Sequence, residues 1–151
     1  MARSSVPPEI LTGVLTHARE AYPSEACGII TGTKDALMRL TRCRNVQDED
    51  PVSRARSSRE GYTIAPKDIA AVLRDARVRG EEIRIIYHSH VDEDAYFSPE
   101  DRRVATWDGE PVWPGVDHIV VSVMGGEPRE AKLFMWDEER RDFTGAILEM
   151  T

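Results

Sequence analysis

The run Ile83-Arg84-Ile85-Ile86-Tyr87 is short and almost wholly apolar, and it leads directly into His88-Ser89-His90. Such a run reads as a buried β-strand, which has to lie inside a sheet covered by other elements. Residues two apart on a strand share a face, so His88 and His90 can converge on one point. Ser98 follows His90 after seven residues, and Asp101 stands eleven residues beyond His90. Ser98-Pro99-Glu100-Asp101 reads as a helix start, with a serine cap, proline at the first helical position and acids in the first turn. A carboxylate placed there can fold back to the point where the histidines meet.

Two imidazoles and one carboxylate form the three-ligand set of a catalytic zinc site, with the fourth position left to water. Water so held is acidified by the metal and becomes a nucleophile near neutral pH. The competing reading is a pair of satisfied histidines beside a solvated acidic loop, Asp92-Glu93-Asp94. The chain has only four histidines, and two of them fall in this motif. The residues therefore point to a zinc hydrolase.

His88-x-His90, seven residues, Ser98, two residues, Asp101 resembles the JAMM motif of the JAB/MPN metallopeptidases, with the motif's spacing intact. Tyr22-Pro23-Ser24-Glu25-Ala26-Cys27-Gly28-Ile29-Ile30-Thr31-Gly32 is similar to the opening of the first core strand in the short prokaryotic branch. The likeness extends from about residue 9 to 136 and is nearest to peptidases that cut after the C-terminal Gly-Gly of ubiquitin-like sulfur carriers. The resemblance implies that His88, His90 and Asp101 hold Zn2+. It implies that Glu25, 63 positions before His88, is the general base, and that Ser98 donates to the oxyanion. Ser89 points away from its neighbours and is expected to make a structural hydrogen bond. Cys27 would share a face with Glu25, yet a lone cysteine in an apolar strand is more often a core residue.

A chain of 151 residues is expected to form a single domain over 1–151. No apolar run approaches a membrane span, and Met1-Ala2-Arg3-Ser4-Ser5-Val6-Pro7-Pro8 lacks the apolar stretch of a secretory signal. Two cysteines make no disulfide framework, so a reducing cytoplasm is expected. The net charge of −7 argues against a nucleic-acid partner. Arg39, Arg42, Arg44, Arg54, Arg56 and Arg59, with Arg74, Arg77 and Arg79, read first as a solvated surface and second as a docking face for an acidic protein.

Apolar spacing predicts helices over 8–21, 66–79 and 99–106, the second with Ile69, Val72, Leu73 and Ala76 inward. Strands are expected at 26–32, 36–43, 83–89, 117–123, 130–136 and 142–149, with a short one at 61–64. Residues 45–60 read as a flexible loop, and 91–97 as a loop that brings Tyr96 and Phe97 beside the metal. The Gly and Pro content of 107–115 forbids a long element, and its Trp107 and Trp113 either cover the core edge or grip a substrate tail. Interleaved strands and helices with tight strand links predict an α/β fold, a mixed central sheet flanked by helices. The JAB/MPN resemblance implies the cytidine-deaminase-like version of that sandwich.

The expected function is a zinc peptidase or isopeptidase acting after the Gly-Gly of a ubiquitin-like or sulfur-carrier protein. A phage-tail or cell-wall peptidase of the same domain type is the alternative. A non-catalytic scaffold is disfavoured because all five motif positions are present. The His-x-Glu and Pro-Cys-x-x-Cys signature of the zinc deaminases is absent.

Overall fold

Pro8 and Pro66 open the two long helices, α1 (Pro8–Ala21) and α2 (Pro66–Arg79). Proline suits a first helical position because its φ is already helical and the missing N–H would have no partner there. The computed structural model that contains them describes residues 6–49 and 57–150. In α1, Ile10, Leu11, Val14 and Ala18 are buried. The α2 helix buries Val72 and Ala76 and stops at Gly80, whose φ of 73° is left-handed. Leu73, expected on the inner face, is 45% exposed instead. The buried stripe of α2 is centred on Val72 and Ala76, and Leu73, about 100° round the helix from Val72, falls outside it.

The strands β1 (Cys27–Gly32) and β2 (Leu37–Cys43) form an antiparallel pair at one edge of the main sheet. Next comes β3 (Glu82–Val91), a strand longer than the spacing predicts, which carries both motif histidines within its ladder. After β3 the chain forms α3 (Pro99–Ala105) and a small hairpin, β4 (Thr106–Trp107) with β5 (Glu110–Pro111). It then re-enters the sheet as β6 (Asp117–Met124), followed by β7 (Glu127–Asp137) and β8 (Asp142–Leu148). The six-stranded order is β2-β1-β3-β6-β7-β8, and β3–β6 is its one parallel pairing. Parallel neighbours need a crossover, and α3 with its hairpin supplies it.

Strand alternation divides the core. Ile30, Ile85, Tyr87, Ile119, Val121 and Leu133 pack under α1. On the other face, Cys27, Ile29, Ile83, Ile86 and Val116 pack with Val72 of α2. Val120, Phe134 and Phe143 meet Ala95 and Ala105 on that same side. The fold is thus a mixed sheet flanked by helices.

Two local expectations change. The 61–64 strand reduces to one bridge, Ile64 to Asn45, because side-chain hydrogen bonds rather than a ladder hold this segment. The third helix ends at Ala105, and Thr106 already belongs to the hairpin. Within 107–115 the chain turns at Asp108-Gly109, with φ of 53° and 78°. Both central residues of such a tight turn need positive φ, which Asp-Gly adopts readily. Arg54, Arg56 and the rest of 50–56 in the expected flexible loop lie outside the described residues. Among the described residues, no helix is long and apolar enough to cross a membrane.

Candidate metal centre

The end of β3 and the start of α3 meet. His88 Nε2 lies 3.1 Å from Asp101 Oδ2, and His90 Nε2 lies 3.1 Å from the same oxygen. All three donor atoms fall within 4.8 Å of one another. The start of α3 aims the carboxylate through a reciprocal cap. Ser98 Oγ accepts from the Asp101 backbone N–H at 3.0 Å, and Asp101 Oδ2 accepts from the Ser98 N–H at 3.0 Å. Each bond satisfies a helix-start donor, so the geometry that begins the helix also points Asp101 at the histidines.

Burial alone would push the Asp101 carboxyl up. The neighbouring His88 and His90 outweigh burial and hold it well below the usual carboxylate range. His90 is the converse case: burial lowers it, but Asp101, the Asp94 carbonyl and Glu25 together raise it. Asp101 therefore stays an anion in a nearly closed site, the form that ligates a cation.

The donor set fits zinc. Tetrahedral ligands about 2.0–2.1 Å from the ion stand about 3.3 Å apart, close to the 3.1 Å between each Nε2 and Asp101 Oδ2. His90 Nδ1 lies 2.8 Å from the Asp94 carbonyl oxygen, which can only accept. A proton therefore sits on Nδ1, and a cation at the cluster would take the Nε2 lone pair, as in metal-bound histidines.

Glu25 precedes β1 and is 5% exposed. The β1–β3 register pairs Cys27 with His88, and Ser89 N–H to Ala26 O at 3.0 Å continues the pairing by one residue. Glu25, the next residue, lies near enough for its charge to raise the pKa of His90. Its backbone is pinned at both ends, N–H to Ser58 O at 2.7 Å and O from Asn45 Nδ2 at 3.0 Å. His88, His90 and Asp101 are thus gathered around one point, and Ser98 is bonded directly to Asp101. Ser89 makes the expected structural bond, accepting from Ala26 N–H at 2.8 Å. Cys27 is fully buried in the α2-side core, and burial pushes its thiol far up, as it pushes Cys43 up to about 11.

Several neighbours carry no sequence signal. Tyr62 lies flat on His88, ring centroids 4.3 Å apart and planes 20° from parallel. His118 on β6 is buried between Phe97 and Phe143, at 5.3 and 5.2 Å. Of the two loop aromatics, Tyr96 meets His90 edge-on at 5.2 Å. Phe97 turns instead into the Phe134–Phe143 cluster, where a ring without polar atoms gains more by burial. The tryptophans also separate: Trp113 packs on the core, whereas Trp107 is 81% exposed. Arg39, Arg42 and Arg44 are ion-paired with Glu81, Glu20 and Asp68, so that part of the arginine cluster presents balanced charge.

A mixed sheet that brings two histidines and an aspartate to one crossover defines an α/β sandwich able to hold a metal ion. Residues 7–137 match the model of prokaryotic homologs of the JAB domain, and the chain belongs to that family. It is 32% identical over 113 residues to the desampylase of Haloferax volcanii, covering 72% of this chain and 76% of that one. It is 28% identical over 141 residues to the CysO-cysteine peptidase of Mycobacterium tuberculosis, covering 93% and 84% respectively. A JAB1/MPN domain protein from Archaeoglobus fulgidus superposes with a TM-score of 0.55 over 94% of this chain and 92% of its own. At 18% identity that likeness speaks for the fold alone. The two named relatives are peptidases of the JAB family, which supports hydrolase activity for this chain.

Proposed function

We propose that the chain is a zinc-dependent peptidase or isopeptidase hydrolysing the bond after the C-terminal Gly-Gly of a ubiquitin-like or sulfur-carrier protein. The observation that carries this reading is the gathering of one donor atom each from His88, His90 and Asp101 within 4.8 Å, with both Nε2 atoms 3.1 Å from Asp101 Oδ2. The names of the desampylase and the CysO-cysteine peptidase support the substrate class. Both cysteines are free thiols, which suits a reducing cytoplasm.

Zinc held by His88, His90 and Asp101 supplies Lewis acidity toward water and the scissile carbonyl. Glu25 takes a proton from the attacking water and passes it to the nitrogen of the leaving amine. Ser98 Oγ already accepts from Asp101 N–H, which leaves its own hydroxyl hydrogen to donate to the oxyanion. Capping and catalysis thus use different parts of one hydroxyl. A Gly-Gly tail suits this chemistry because, without side chains, its backbone can approach the metal closely.

The test is mass spectrometry of a ubiquitin-like sulfur carrier extended beyond its Gly-Gly, incubated with zinc-loaded wild type and with Glu25→Gln. Cleavage after Gly-Gly is expected from the wild type, with Glu25→Gln holding zinc yet losing nearly all turnover. Full activity in Glu25→Gln would remove the base assignment. An intact substrate with zinc in place would remove the substrate class.

A further inference from the structure

The two histidines are held differently. His90 has the Asp94 carbonyl on Nδ1 at 2.8 Å. His88 is fully buried, and among the described residues its Nδ1 makes no hydrogen bond. Metal-ligating histidines almost always donate that second nitrogen to a carboxylate, carbonyl or water, and the bond fixes the ring plane. Without one, His88 could rotate about χ2 and swing Nε2 away from the cluster. The face of its ring is instead covered by Tyr62 at 4.3 Å and 20°.

We propose that Tyr62 is the positioning residue for His88, fixing by ring stacking the orientation that a hydrogen bond fixes for His90. The proposal rests on the metal reading given above. Tyr62 is itself well held. Its ring packs against the cluster of Cys27, Ile29, Cys43 and Val116. The residues on either side of it are clamped by one amide: Asn45 Nδ2 donates to Gly61 O at 3.1 Å, and Asn45 Oδ1 accepts from Thr63 N–H at 3.1 Å. The stacked geometry turns the ring face of Tyr62, not its hydroxyl, toward His88. An imidazole that coordinates a cation gains positive character, which the electron-rich face of a phenol favours.

The experiment measures zinc dissociation constants by chelator competition for wild type, Tyr62→Phe and Tyr62→Leu, and records visible spectra of the cobalt(II)-loaded forms. Tyr62→Phe keeps the stack and is expected within about threefold of wild type with an unchanged cobalt spectrum. Tyr62→Leu is expected to bind zinc about 10–100-fold more weakly, the usual loss when a ligand's outer support is removed, with an altered spectrum. Should Tyr62→Leu not fold, Tyr62→Met, an unbranched side chain without a ring, replaces it. Affinity within threefold of wild type in the Leu or Met variant would overturn the proposal. An equal loss in Tyr62→Phe would also overturn it, because the hydroxyl and not the ring would then be responsible. Wild type that fails to bind zinc at all would overturn the metal reading itself, a result distinct from the other two.

Discussion

His118 is a buried histidine that the proposed chemistry does not use, and it sets a cost at acid pH. Burial, helped by nearby His88, lowers it to about 4, against 6.5 for the free side chain. Between those values the unfolded chain binds a proton that the folded chain excludes. Stability therefore rises with pH across this window and is lost as pH falls from 6.5 towards 4. The full effect is about 3 kcal/mol. His118→Phe would keep an aromatic ring between Phe97 and Phe143 and remove the titration. Urea unfolding of the chelator-treated proteins at pH 7 and pH 5 should show the variant losing about 2 kcal/mol less than wild type; equal losses would assign the acid sensitivity to other groups. Gly28 shows a steric constraint at the same scale. A Cβ at this position would run into the Tyr87 ring across the β1–β3 ladder. Gly28→Ala should cost about 1–3 kcal/mol in urea unfolding, as overpacked core sites do, and a change under 0.5 kcal/mol, about the scatter of neutral surface changes, would mean the ring moves freely.

At the scale of elements, the segment between β2 and α2 is where sequence and structure part most. The long helices were legible from proline starts and 3.6-residue spacing. The His-to-Asp motif was legible because strand period and helix-start chemistry both aim side chains at one point. Residues 45–49 and 57–60 offer mostly polar composition, which looks the same whether a segment is loose or tied by side chains. Here it is tied. Asn45 donates to Glu25 O and Gly61 O and accepts from Gln47 N–H and Thr63 N–H, using the full capacity of its amide. Asp108-Gly109 was legible in principle, since Asp-Gly is a hairpin signal, but the surrounding Gly and Pro masked it. Asn45→Ala strands two carbonyls and two N–H groups beside the site, and should lower stability by about 2–4 kcal/mol. Asn45→Asp keeps both acceptor functions and should fall between Ala and wild type in the same urea titration. Wild-type stability in Asn45→Ala would mean that water replaces the clamp without loss.

For the molecule as a whole, the ligands come from two elements on either side of a crossover. His88 and His90 stand on β3, and Asp101 stands on α3, which leads through the hairpin to β6. An ion held by all three joins the centre of the sheet to the segment that covers it, so metal binding is linked to global unfolding. Zinc at a hundred times its dissociation constant adds about 2.7 kcal/mol. For a domain of this size each kcal/mol moves the midpoint by about 2–4 °C, so thermal unfolding should shift upward by about 5–10 °C. The shift should survive in Glu25→Gln, which keeps every ligand, and vanish in Asp101→Asn, whose neutral amide no longer balances the cation. Asp101→Asn also removes an anion that His88 and His90 favour in the absence of metal, so its own midpoint without zinc has to serve as the reference. A zinc shift of equal size in Asp101→Asn, each protein measured against its own chelator-treated form, would place the stabilising ion elsewhere on the surface. A shift in wild type and Glu25→Gln alone would tie the stability of the whole sheet to the same three atoms that define the candidate centre.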